Sequence, residues 1–135
     1  MTTTLREAGI QTLHDQVVSL IAQRWAKAFQ CKVTIKTSTE QNRRANSGQH
    51  TDIAGWTFSP QGNAVQWIAE IETDDSLANR DLLARWKQGA DTGVPFYLFV
   101  PRGQRERAMK QATAAEVLFN GVYEFCFVND VFQVL

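Results

Sequence analysis

The sequence predicts a single α/β domain in which a three-stranded antiparallel meander is continued by helix-connected strands, giving a mixed sheet flanked by helices. Three observations carry this. Apolar residues recur at helical spacing from Leu5 to Phe29, runs of strand character follow between Cys31 and Glu72, and a nearly continuous apolar run, Val94 to Val100, stands between two further helical patterns. At 135 residues the chain has room for one core and little more.

The elements follow in order. Ile10, Leu13, Val17, Leu20, Ile21, Trp25 and Ala28 line one face of a long first helix. Cys31 to Thr37 alternates apolar with polar residues, as a half-buried strand does. Ser38 to Gln49 holds almost nothing apolar; Arg43 and Arg44 lie within it and suit phosphate contact, although a solvated loop is an equal reading. Thr51 to Phe58 and Val65 to Glu72 read as a hairpin about the turn formers Ser59-Pro60-Gln61-Gly62-Asn63. Thr73-Asp74-Asp75-Ser76 offers caps for a helix running to about Ala90, and Thr92-Gly93 ends it. Val94 to Val100 is expected to be a central strand, followed by a helix over Gln104 to Leu118, a strand over Gly121 to Val128 and a short edge over Val131 to Leu135.

One constellation carries chemistry. If the hairpin closes symmetrically about Gln61, Asp52 lies opposite Glu70, and alternation of side chains puts Glu72 on the same face. Two unit charges about 4 Å apart repel by roughly 4 kcal/mol at the effective dielectric of a protein surface. Such a triad must protonate, move apart or bind a cation. An all-oxygen donor set points to magnesium or manganese, since neither zinc's sulfur and nitrogen ligands nor a calcium loop is visible. Acidic residues also mark strand ends simply because strand ends meet water.

Composition narrows the alternatives. With 14 basic and 14 acidic residues the formal charge balances, so a nucleic-acid partner would have to be held by a local patch. Cys31 and Cys126 sit in apolar surroundings and fit buried thiols of a reducing, cytoplasmic protein. No targeting signal is seen, and no apolar run approaches the roughly 20 residues that span a bilayer, so no membrane partner is expected. Glycine-rich dinucleotide and phosphate loops and the Gly-x-Ser-x-Gly elbow are absent.

Asp52 at the start of the second strand and Glu70-Ile71-Glu72 at the end of the third resemble the PD-(D/E)xK nuclease superfamily, as does the order of elements. The stretch Trp86 to Pro101 also looks like the helix-to-strand passage of uncharacterised bacterial members. The resemblance implies a restriction endonuclease-like fold and a magnesium-dependent (or manganese-dependent) endonuclease, with Asp52 and Glu70 holding the ion. Thr51 stands where a proline is common, and Glu72 stands where a lysine is expected. Glu72 is then a further metal ligand or general base. Relatives that move the lysine to the following helix make Lys87, ahead of Arg80 and Arg85, the expected cation. The first helix often adds an acidic residue, here Glu7 or Asp15.

Other residues have competing roles. His50 shares the face of Asp52 and could move protons, although a histidine ending a polar loop is more often simply exposed. His14 lies on the first helix beside Asp15. Asp74 and Asp75 fit helix capping, Trp56 and Trp67 fit the core, and Arg102, Arg105, Arg107 and Lys110 form a modest basic patch suited to a phosphate backbone or to solvent. The expected activity is hydrolysis of nucleic acid, DNA before RNA, by a pair of such domains. The alternative is an inactive nuclease-fold module that binds nucleic acid or a protein.

Overall fold

The computed structural model describes residues 2–36 and 51–135, with side chains from residue 13 onward. Helix α1 (Thr2–Phe29) precedes strands β1 (Lys32–Ile35), β2 (Ile53–Ser59) and β3 (Gly62–Ile71). Helices α2 (Asp74–Leu77) and α3 (Leu82–Ala90) lead to β4 (Phe96–Pro101), and α4 (Arg105–Ala114) leads to β5 (Gly121–Val128) and β6 (Val131–Val134). The six strands form one mixed sheet in sequence order: β1 to β3 antiparallel, β3 to β5 parallel, β5 to β6 antiparallel. No helix among the described residues is long and apolar enough to cross a membrane.

Two helical layers sandwich this sheet. Val17, Val18, Ile21 and Ala22 of α1 bury one face against Ile53, Trp67, Ala69, Ile71 and Phe99. Their spacing returns to the same side of the helix at each turn. Trp25 extends that layer, meeting Trp67, Tyr97 and Phe99 edge-on at centroid separations of 5.1, 4.9 and 5.0 Å. The other face is covered by Leu77, Leu82, Trp86, Ala108 and Ala112, which pack on Leu98, Val100 and Val122. Strand β4 is thus buried on both sides, as its unbroken apolar run requires.

The hairpin closes differently from a symmetric turn about Gln61. Ser59 pairs with Gly62, leaving only Pro60 and Gln61 at the corner, where the fixed φ of proline suits the first turn position. This shifts the register by one. A bulge restores it: Gly55 pairs with Trp67 and Trp56 with Val65, so Gln66 is the extra residue. The pairing beyond the bulge therefore matches the one expected.

Two helices depart from their expected extents. The segment expected as one helix to Ala90 divides at Asn79-Arg80-Asp81, where Asn79 Oδ1 accepts the Asp81 N–H at 2.8 Å and turns the backbone. Thr73 and Ser76 cap α2 reciprocally. Helix α4 stops at Ala114 instead of Leu118, because Glu116 adopts a left-handed φ of 58° while Val117 N bonds Ala112 O at 2.9 Å. That is a Schellman ending without the usual glycine. Cys31 and Cys126 are free thiols, half-buried where burial was expected.

Candidate active site

Asp52, Glu70 and Glu72 meet because of how β2 and β3 end. Ile53 pairs with Ala69 at the end of the ladder, so Asp52 and Glu70 are the next residues along, and Glu72 follows Glu70 on its own face. All three are buried, at 7%, 3% and 0% exposure. The position is the carboxyl end of β3, where Glu72 N bonds Phe99 O of β4 at 2.9 Å. Sheets of this class bind ligands beyond the carboxyl ends of their parallel strands.

That placement sets the Asp52 and Glu70 carboxyl groups beside each other across the hairpin. Burial, then the charges of Asp52 and Glu72, push Glu70 well above the ordinary carboxyl range against the opposing pull of Arg85.

Asp52 is oriented from two sides. Its Oδ2 accepts the Ile71 N–H at 2.9 Å and lies 3.3 Å from His14 Nε2 on α1. The same His14 nitrogen is 3.1 Å from Ile71 O, and His14 Nδ1 is 3.4 Å from Asp15 Oδ1. Each ring nitrogen faces oxygen acceptors, the pattern of a doubly protonated imidazolium. Burial by itself would lower the His14 pKa, but the hydrogen bonds and charges of Asp52 and Asp15 outweigh it and raise the value to about 9.

Glu72 has a different set of partners. Its Oε1 accepts from Ser76 Oγ at 2.7 Å and Arg85 Nη2 at 3.3 Å, and its Oε2 from Trp86 Nε1 at 2.9 Å and Arg85 Nη1 at 3.4 Å. Burial raises its pKa, while Arg85, Trp86 and Ser76 oppose the rise. Arg85 Nη1 also donates to Glu70 Oε2 at 3.3 Å. Burial would lower the Arg85 pKa, but Glu72 and Glu70 outweigh that and hold the guanidinium charged.

The cation brought to the carboxylates is therefore Arg85, whereas Lys87 is exposed on another side of α3 and Arg80 is exposed between α2 and α3. Helical phase explains the difference. Leu82, Trp86 and Gly89 form the buried stripe of α3; Arg85 borders it and Lys87 lies well away from it. The contribution of α1 is His14 itself, with Asp15 behind it. Arg43, Arg44 and His50 lie outside the described residues, as does the side chain of Glu7.

The remaining residues stay at the surface or in the core. Asp74 and Asp75 are exposed in the first turn of α2. Arg102, Arg105 and Arg107 are exposed, and Lys110 Nζ is 3.7 Å from Glu106 Oε1. Arg105 borders a groove of about 260 Å³ beside Met109, Val117 and Phe119. Trp67 is buried; Trp56 is half-buried and donates from Nε1 to Thr34 Oγ1 at 2.9 Å. Sequence reasoning missed Ser76 and Trp86 as partners of Glu72, although both carry donors on the segment directly after it.

Among the described residues no group of three His, Cys, Asp or Glu side chains is set as a ready-made metal site. Two carboxylates, Asp52 and Glu70, do face each other, and the donors are hard oxygens. Magnesium keeps several of its waters and is usually held through one or two carboxylates, a description this pair fits, whereas both oxygens of Glu72 accept from Ser76, Trp86 and Arg85. Comparison with known proteins gives no match for this chain, whether to a family, a curated protein or a solved structure.

Proposed function

We propose that this protein hydrolyses phosphodiester bonds in nucleic acid, DNA in the first place, using a magnesium or manganese ion held by Asp52 and Glu70. The observation that supports this most is the buried pair itself: Asp52 and Glu70, 7% and 3% exposed, stand beside each other at the carboxyl end of β3. A bound divalent ion supplies Lewis acidity toward the phosphoryl oxygen and lowers the pKa of water.

The chain's own residues do the rest. Ile71 N–H and His14 fix the Asp52 carboxylate through the same oxygen, Oδ2. A cation held there would favour the ionised form of Glu70 against the burial that raises its pKa. Glu72, held by Ser76 and Trp86, aims the Arg85 guanidinium, which takes the place of the lysine expected from the resemblance and offers N–H donors to a phosphate. Arg102 and Arg105, with Arg43 and Arg44, would contact the phosphate backbone, and two copies of the chain would address the two strands of a duplex.

A second reading is favoured by two observations: every oxygen of Glu72 is bonded within the protein, and no three-ligand set is present among the described residues. In that reading the cluster is structural and the chain binds nucleic acid or a protein without cutting.

Incubation of labelled single- and double-stranded DNA and RNA with magnesium or manganese separates the two. Hydrolysis that falls by about 100-fold or more in Asp52→Asn and Glu70→Gln supports the nuclease. Binding by gel shift with no cleavage in either metal supports the second reading.

A further inference from the structure

Arg85 already occupies the cation's surroundings. Its Nη1 bridges Glu70 Oε2 and Glu72 Oε2 at 3.3 and 3.4 Å, and its Nη2 holds Glu72 Oε1 at 3.3 Å. Glu70 thus has one oxygen on the guanidinium while its carboxyl group also stands beside Asp52 across the hairpin. A divalent ion drawn between Asp52 and Glu70 would stand next to a fixed positive charge that bonds one of its own ligands. The two cations repel, and they compete for Glu70.

Arg85 is also built to leave. Its side chain is 36% exposed, against 3% for Glu70 and 1% for Glu72. A guanidinium carries five N–H donors, and among the described residues its Nε–H has no acceptor. Glu72 remains anchored by Ser76 and Trp86 when Arg85 turns, so the tether survives a change of partner.

From this geometry we infer that Arg85 is an internal competitor that keeps the Asp52–Glu70 pair closed to divalent ions until an anionic phosphate draws the guanidinium outward. The inference rests on the cation-binding reading of Asp52 and Glu70 and adds its regulation: ion and phosphodiester bind cooperatively, each raising the other's affinity by one shared factor. The free protein is then a weak ion binder by construction, and its site assembles on substrate.

The test is calorimetric titration of manganese into the full chain and into Arg85→Gln, without nucleic acid. Competition predicts that Arg85→Gln binds manganese about 10-fold more tightly than the wild type. Equal or weaker binding by Arg85→Gln, with measurable binding by the wild type, overturns the competition and leaves the ion site standing. No manganese binding by either protein overturns both. Should Arg85→Gln fail to fold, the ¹⁵Nε signal of Arg85 in the wild type decides the matter: it moves on saturation with magnesium if the guanidinium gives up Glu70, and an unmoved signal overturns the inference.

Discussion

His14 and Asp52, 38 positions apart, meet at 3.3 Å where α1 passes the carboxyl end of β3. This contact ties the helix on one face of the sheet to a cluster whose other cation, Arg85, comes from the opposite layer. The site therefore spans the end of the sheet.

The pairing sets the titration of His14. Its pKa is about 9 instead of 6.5, so the stability it contributes is complete below pH 6.5 and is lost as pH rises through about 9. Proton NMR of the His14 ring should give a midpoint near 9, and Asp52→Asn should bring it back toward 6.5. An ordinary midpoint in the wild type would mean that the two groups do not pair in solution.

Glu70 has the same sign for a different reason. A carboxyl group raised in the folded state stabilises the fold below its ordinary 4.5, and that contribution is lost as pH climbs through the raised value. Glu70→Gln keeps the hydrogen bonding of the protonated form and cannot ionise. Its melting temperature at pH 8 should exceed that of the wild type by about 4 °C, with the gap closing near pH 4. A lower melting temperature at pH 8 would show that Glu70 is stabilising when charged.

Trp86→Phe removes the N–H that bonds Glu72 Oε2 at 2.9 Å and leaves a small void in a fully buried position. Urea unfolding should show a loss of about 3 kcal/mol, since the bond is to a buried carboxylate. Trp56→Phe is the contrast. It gives up a bond to the neutral Thr34 hydroxyl from a half-buried site and should cost about 1 kcal/mol.

The hairpin register depends on Gly55. A Cβ there would run into the Trp67 indole, so Gly55→Ala must displace a buried ring. A loss of about 3 kcal/mol is expected by the same unfolding measurement. Gly62→Ala meets no atom but has to hold a φ of 129°, which should cost about 1 kcal/mol.

Much of the architecture is written in periodicity. Alternation in the hairpin is a matter of parity, so Asp52 and Glu70 come together even though the turn is one register step from its expected place, because Gln66 bulges to compensate. Arg85 was within reach of the same logic: the phase of Leu82, Trp86 and Gly89 turns it toward the cluster and Lys87 away. The break at Asn79 hangs on one side-chain bond, and the end of α4 on a left-handed glutamate where glycine is the usual signal. Neither is visible as a pattern. His14 is a further step removed, since no local feature fixes where a long helix crosses a sheet, and its partner is 38 residues away.

The proposed function depends on Asp52 and Glu70 jointly holding a metal ion. Anomalous diffraction from crystals soaked in manganese together with a short DNA duplex tests this most directly. The account predicts a manganese peak about 2.1 Å from a carboxylate oxygen of each residue, with the guanidinium of Arg85 turned off Glu70. Crystals with manganese bound elsewhere or not at all, and Arg85 still bonded to Glu70 and Glu72, would contradict it.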